Sequence, residues 1–232
     1  PGVPGTWTLQ VRGVGAVSGV ALDPARVTNG YGVPGNVNVN VKQLRIDGFT
    51  GLGDIAGHPG RAFIEYGVAN RLVDGYADGT FRPEALLTRG ELATYLTMGQ
   101  GLRQQLPLSG GSSFSDLAAG SLLAPYAEAA TGRGGSQRDP SHRQEGVMGK
   151  VGTAFRPGDA VTRVSLAYSL VQSLGLQAEA TGFTGELSVL ADGKRIPLDD
   201  AASIPASLRG YVQLALDLGL IDARFGLVQG PF

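Results

Sequence analysis

Two arginines, Arg89 and Arg163, close matching runs: Phe81-Arg82-Pro83-Glu84-Ala85-Leu86-Leu87-Thr88-Arg89 and Phe155-Arg156-Pro157-Gly158-Asp159-Ala160-Val161-Thr162-Arg163. Phe, Arg, Pro, Thr and Arg fall at the same spacing in both. Apolar residues at helical spacing follow each Thr, so the hydroxyl reads as an N-cap, and Thr88-x-x-Glu91 completes a capping box. Arginine in a first helical turn meets the positive end of the helix dipole. That unfavourable choice, made twice, points either to an anion gripped by the guanidinium fork or to a salt bridge with an Asp of a neighbouring repeat.

Other carriers of chemistry are few. The chain has 2 His and no Cys, so thiolate catalysis, Cys-based zinc and disulfides are excluded. His58, just before Pro59, reads as a local cap or surface residue. His142 lies in a Gly132–Gly149 segment with Arg133, Arg138 and Arg143 and with Lys150 next to it; this reads as a mobile solvated loop, with a weak anion patch as the other reading. Asp74-Gly-Tyr-Ala-Asp-Gly-Thr80 lacks the alternating carboxylates and distal Glu of a calcium loop and reads as a turn. No Walker loop, dinucleotide-binding glycine pattern or His-Glu-x-x-His occurs. No active site, metal or cofactor is therefore expected.

The elements that must position these residues follow from pattern. Thr6–Val11 alternates polar and apolar residues, as does Val37–Val41 before Leu44 and Ile46, which predicts strands with exposed edges able to pair with another copy. After Phe49 the period turns helical: Ala62, Phe63, Tyr66 and Gly67; Leu92, Tyr95, Leu96 and Gly99; Ala124 to Ala130; Arg163 to Leu174; Leu208 to Leu218. Asp192-Gly193 is a hairpin signal. Phe81 and Phe155 read as core aromatics with a proline leading into the helix, and Tyr66, Tyr95, Tyr126 and Tyr168 as core residues with hydrated hydroxyls. The recurring order of helix, loop and helix predicts stacked units that bury faces against each other and leave grooves between them. The fold class expected is α+β, mainly helical tandem repeats at 48–108, 109–177 and 178–232 (the last partial), with a small antiparallel β module at 1–47.

Composition bounds the partners. At 232 residues, 42% hydrophobic and 17% charged, the chain suits several small cores. A formal net charge of -1 gives no uniform pull toward nucleic acid or an anionic bilayer, and no apolar run is long enough to insert into a membrane. Pro1-Gly-Val-Pro-Gly5 lacks a starting Met, so a longer polypeptide with an upstream export signal is expected.

The run Asp74-Gly-Tyr-Ala-Asp-Gly-Thr-Phe-Arg-Pro83 followed by Thr88-Arg-Gly-Glu91 resembles an S-layer homology repeat, with its Gly-Tyr-x-Asp-Gly-x-Phe-x-Pro loop and Thr-Arg-Ala-Glu helix start. Phe114-Ser-Asp-Leu117 is similar to the Phe-x-Asp-Val opening of the next repeat. The resemblance weakens from the first copy to the third: Thr162-Arg-Val-Ser165 lacks the Glu, Leu122 stands where an aromatic is common, residues are inserted between Thr131 and Phe155, and the third copy lacks its Thr-Arg helix. It implies a secreted, non-catalytic module held at the bacterial cell surface by cell-wall polysaccharide, often pyruvylated. It also implies that Asp54, Arg89, Asp116 and Arg163 are groove residues, the arginines gripping a pyruvyl carboxylate. Pro4-Gly-Thr-Trp-Thr-Leu-Gln-Val11 resembles the β domains that follow the catalytic unit of secreted subtilisin-like serine proteases. The Ser, His and Asp contexts of that catalytic unit are absent from this sequence. The alternative is a protein-protein or intramolecular scaffold that supports or oligomerises an upstream protease.

Overall fold

The computed structural model describes residues 51–70, 72–99, 102 and 112–225. The strands expected at 6–11 and 37–46, and with them the 1–47 module, lie outside the described residues. What is described is α+β. Six α-helices appear, α1 (Arg61–Ala69), α2 (Arg89–Gly99), α3 (Ala124–Thr131), α4 (Arg163–Ser173), α5 (Gln177–Thr181) and α6 (Arg209–Asp217), with one antiparallel pair, β1 (Ser188–Ala191) and β2 (Lys194–Pro197). The described residues fall into two compact units, 51–61 with 75–81 and 62–74 with 82–225.

The described part of the first unit is loop built and held by hydrogen bonds. Gly53 N–H donates to Gly79 O at 2.9 Å, and the Asp54 carboxylate accepts Phe81 N–H at 2.8 Å. Tyr76 N–H donates to Thr80 O, and Asp78 Oδ1 takes the Thr80 hydroxyl at 2.6 Å, so the Asp-Gly-Thr segment is a side-chain-stapled turn. Gly79 has φ +79°, a left-handed conformation that glycine adopts without a Cβ clash. His58 acts locally, its Nδ1 accepting Gly60 N–H at 3.0 Å.

The second unit holds two apolar clusters. Leu92, Ala93 and Leu96 on α2 meet Ala124, Ala127 and Ala130 on α3, with Phe114, Val147, Met148 and Phe155 completing the cluster. The small α3 side chains let the helices approach closely. In the second cluster, Ala167 and Val171 on α4 meet Tyr211, Val212 and Ala215 on α6, with Leu187 and Ile204 beside them. The β1–β2 hairpin turns through Asp192 and Gly193, φ 50° and 76°, and pairs Ala191 with Lys194. Two successive positive φ values match the right-handed twist of the strands, the outcome the Asp-Gly pair predicts.

Two expectations are corrected. Tyr66 is not a core residue: it is 66% exposed and Phe63 83%, while Gly67 is the buried position of α1. A Cβ on Gly67 would stand 3.0 Å from Val73 Cγ2, so α1 meets its neighbour through the glycine and not through the aromatic stripe. The 132–149 segment is not a merely solvated loop. It wraps the Asp139 side chain, which is fully buried, and returns through buried Gly146, Val147 and Met148.

Candidate functional site

Both predicted helix starts are capped by their threonines. Thr88 Oγ1 accepts Glu91 N–H at 3.2 Å while Glu91 Oε2 accepts both Thr88 N–H and the Thr88 hydroxyl at 2.8 Å, a reciprocal capping box. Thr162 Oγ1 accepts Ser165 N–H at 3.1 Å, and its hydroxyl donates to Ser165 Oγ. Ser165 is too short to reach back to the Thr162 N–H as Glu91 does. The α2 start is further pinned by the 157–159 turn, where Arg89 N–H donates to Asp159 O and Gly90 N–H to Pro157 O, both at 2.9 Å.

Cap geometry fixes where the arginine side chains go. Arg89 Nε donates to Phe155 O at 2.8 Å and Nη2 to Gly149 O at 2.6 Å, with the guanidinium carbon 5.1 Å from the Phe155 ring centre. Burial pulls its pKa below the ordinary value, and the nearby charges of Asp159 and Asp116 oppose that shift. Asp116 sits on the same Phe155: Oδ1 accepts Phe155 N–H at 2.8 Å and Oδ2 accepts Arg156 N–H at 2.7 Å. These two backbone donors, Phe155 foremost, hold the Asp116 carboxyl below its usual range. Arg89 and Asp116 therefore converge on one Phe-Arg-Pro turn. Arg163 Nη2 donates to the Asp222 carbonyl. Asp54 lies in the first unit on Phe81 and makes there the bond that Asp116 makes on Phe155. Arg82 and Arg156 share φ 57°, a left-handed conformation that costs an L-residue about 1–2 kcal/mol. In each case an Asp carboxylate secures the turn.

A cleft of about 510 Å³ opens beside α2. Among the described residues its lining includes the polar Asp74, Thr88, Glu91, Thr94 and Tyr95 and the apolar Leu123 and Pro157. Burial, ahead of the other influences, raises the Tyr95 pKa, and the nearby Asp74 backbone opposes that shift. Sequence reasoning read Asp74 as a turn residue and Glu91 as a cap. Neither local role signals that the Pro157 turn, distant in sequence, closes over the same helix face.

The buried Asp139 was also missed. Its Oδ1 accepts the Ser141 hydroxyl at 2.6 Å and Ser141 N–H, and Oδ2 accepts Gln144 N–H at 2.8 Å. Burial pushes its pKa up, yet the donors of Ser141, Gln144 and Arg143 outweigh that and leave the carboxyl below its usual value. Four bonds tie this loop to α4 and the turn after it: Ser136 Oγ to Ser173 O, Gln144 Nε2 to Gly175 O, Gln172 Nε2 to Glu145 O and Tyr168 Oη to Gly146 O.

Among the described residues no group of three or more His, Cys, Asp and Glu could hold a metal, and no helix is long and apolar enough to cross a membrane. No curated protein matches the chain. The segment that carries Asp54, the Asp74–Thr80 turn, Phe81 and the capped start of α2 is similar to a known family: residues 52–93 match the S-layer homology domain.

Proposed function

We propose that this chain is a non-catalytic module that binds cell-wall polysaccharide and holds its parent protein at the bacterial surface. The observation that carries this reading is the S-layer homology match over residues 52–93, since such domains anchor proteins to that polymer. The paired construction of the Phe81 and Phe155 turns, each secured by an Asp, supports extending the repeat reading into the second copy. Within the module, Arg89 and Arg163 contact an acidic, pyruvylated sugar through N–H groups beyond those given to carbonyls, while Asp54 and Asp116 hold the turns beside them. The parent is a secreted subtilisin-like protease on the resemblance of Pro4–Val11, and the residues preceding Pro1 test that parentage directly.

Retention on purified sacculi, with and without removal of their secondary polymers, tests the anchor. Polymer-dependent retention of wild type is expected, with Arg89→Ala weakening it by about 10-fold or more and Arg89→Lys restoring part, since an ammonium lacks the planar fork. Retention that does not depend on the polymer sinks the anchoring reading. A second reading, a scaffold for protein contacts, is favoured by one observation, the exposed Phe63 and Tyr66 on α1. It predicts that Phe63→Ser with Tyr66→Ser abolishes self-association or capture of the upstream protein without touching sacculus retention.

A further inference from the structure

The buried Asp139 is followed by Pro140, and an aspartyl–prolyl bond is among the peptide bonds most easily broken in acid. A side-chain carboxyl oxygen adds to the Asp carbonyl carbon, closing a five-membered ring, while a proton reaches the prolyl nitrogen. The C–N bond then breaks to leave a cyclic aspartyl anhydride and a free prolyl amine. Water opens the anhydride, so one water is consumed and the pieces end in Asp and begin with Pro.

The fold opposes each of these steps. Oδ1 is held by the Ser141 hydroxyl at 2.6 Å and Ser141 N–H at 3.0 Å, and Oδ2 by Gln144 N–H at 2.8 Å. Neither oxygen can swing onto the carbonyl carbon without giving up those donors. The Asp139 carbonyl oxygen accepts His142 N–H at 3.3 Å, which closes a turn around Pro140. On either side the loop is tied to the end of α4 and the turn after it, through Ser136 Oγ to Ser173 O at 2.8 Å and Gln144 Nε2 to Gly175 O at 2.7 Å. Were the bond to break in this state, the amine would be held beside the anhydride and would re-add to it, because Asp139 is fully buried from water. The charged and titratable groups of the loop are Arg133, Arg138, His142, Arg143 and Glu145, with Arg133 3.8 Å from Glu145. On α4, Tyr168 bonds the loop at Gly146 O.

We propose that Asp139–Pro140 is a latent self-cleavage site, kept intact by the closed loop and cut when acid opens it. Scission falls between α3 and α4, so it turns a reversible opening into a permanent break within the second unit. The proposal rests on the anchoring reading only for what that break would release.

The test is intact-mass measurement of the full chain held at about pH 4, with and without denaturing urea. In urea a cut at Asp139–Pro140 is expected, giving pieces 1–139 and 140–232 whose masses sum to the parent plus one water. The chain's other aspartyl–prolyl bond, Asp23–Pro24, lies outside the described residues and is the reference for cleavage in urea. Without urea the Asp139 cut should be slower by about 10-fold or more, since it waits on the open state. As pH falls toward about 2 without urea, the rate should climb to that of the unfolded chain at the same pH. Ser141→Ala and Gln144→Ala should each speed the cut in the folded chain by about 3-fold or more and leave the rate in urea unchanged. Asp139→Asn should lose this cut in urea and keep the one at Asp23. Equal rates with and without urea, no cut at Asp139 in urea, or variants that act equally in both media would each overturn the proposal. No wall polymer enters the assay, so its failure leaves the anchor standing, and failed sacculus retention leaves the cleavage site standing.

Discussion

Asp139 shows how a single acid can organise a segment that composition marks as solvent-exposed loop. Its side chain is fully buried, and the donors of Ser141 and Gln144 are the return for that burial. A carboxyl held below its ordinary value binds fewer protons folded than unfolded, so it adds stability above the unfolded value of 3.8, and that contribution is lost as pH falls through the folded value. Asp116 is shifted the same way by Phe155 and Arg156 N–H, and the two add to one acid limb. Urea melts taken from about pH 5 down to about pH 2 should therefore show stability falling, with a shallower fall in Asp139→Asn, which no longer titrates. The same substitution should cost about 1–3 kcal/mol at neutral pH, because a neutral amide replaces an ionised acceptor of several buried bonds. An acid limb of wild-type steepness in Asp139→Asn would show that the burial of this carboxyl is not linked to folding.

At the scale of elements, the helix starts were legible in sequence because their signals are local. Thr88-x-x-Glu91 and Thr162 fix α2 and α4 within one residue, and Asp192-Gly193 fixes the hairpin. Periodicity reports which residues share a face but not which face is covered. Tyr66 thus reads from sequence as a core residue, whereas α1 meets its neighbour through Gly67. The cleft and the Asp139 loop were illegible for a related reason: both are made by approaches between residues far apart in sequence, Pro157 to Gly90 and Gln144 to Gly175. The caps themselves are testable. Thr88→Ala should cost about 1 kcal/mol, and Thr162→Ala a similar amount, because each orphans the N–H of the third helical residue. Glu91→Ala should cost a further fraction at α2 alone, since Ser165 makes no bond back to the backbone of Thr162. Thermal melts unchanged by either threonine substitution would remove the capping role.

Over the whole second unit, α4 is the element both clusters share. Leu166 and Leu170, one turn apart, pack on the α2–α3 cluster, while Ala167 and Val171 lie in the cluster with α6. The Asp139 loop adds its bonds to Ser173, Gly175, Gln172 and Tyr168 along the same helix and the turn after it. A helix buried on two faces cannot lose one partner and keep its place against the other, so the unit should open as one cooperative body. Gly210 offers a way to perturb one cluster alone. It is buried in the first turn of α6, where a Cβ would overlap the Ala180 carbonyl oxygen and stand 2.8 Å from Phe183 Cβ, so an alanine there forces α6 off α5. The helix-propensity gain of about 1 kcal/mol is smaller than the overlap, and Gly210→Ala should destabilise by about 3 kcal/mol. Amide hydrogen exchange then reads the coupling. If α4 joins the clusters, protection at Ala93 and Leu96 on α2 should fall by the same free energy as at Val212 and Ala215 on α6, although α2 lies in the other cluster. Loss of protection confined to α4, α5 and α6 would show two independently opening halves. In that case Leu92→Ala, a cavity in the first cluster, should in turn leave α6 untouched.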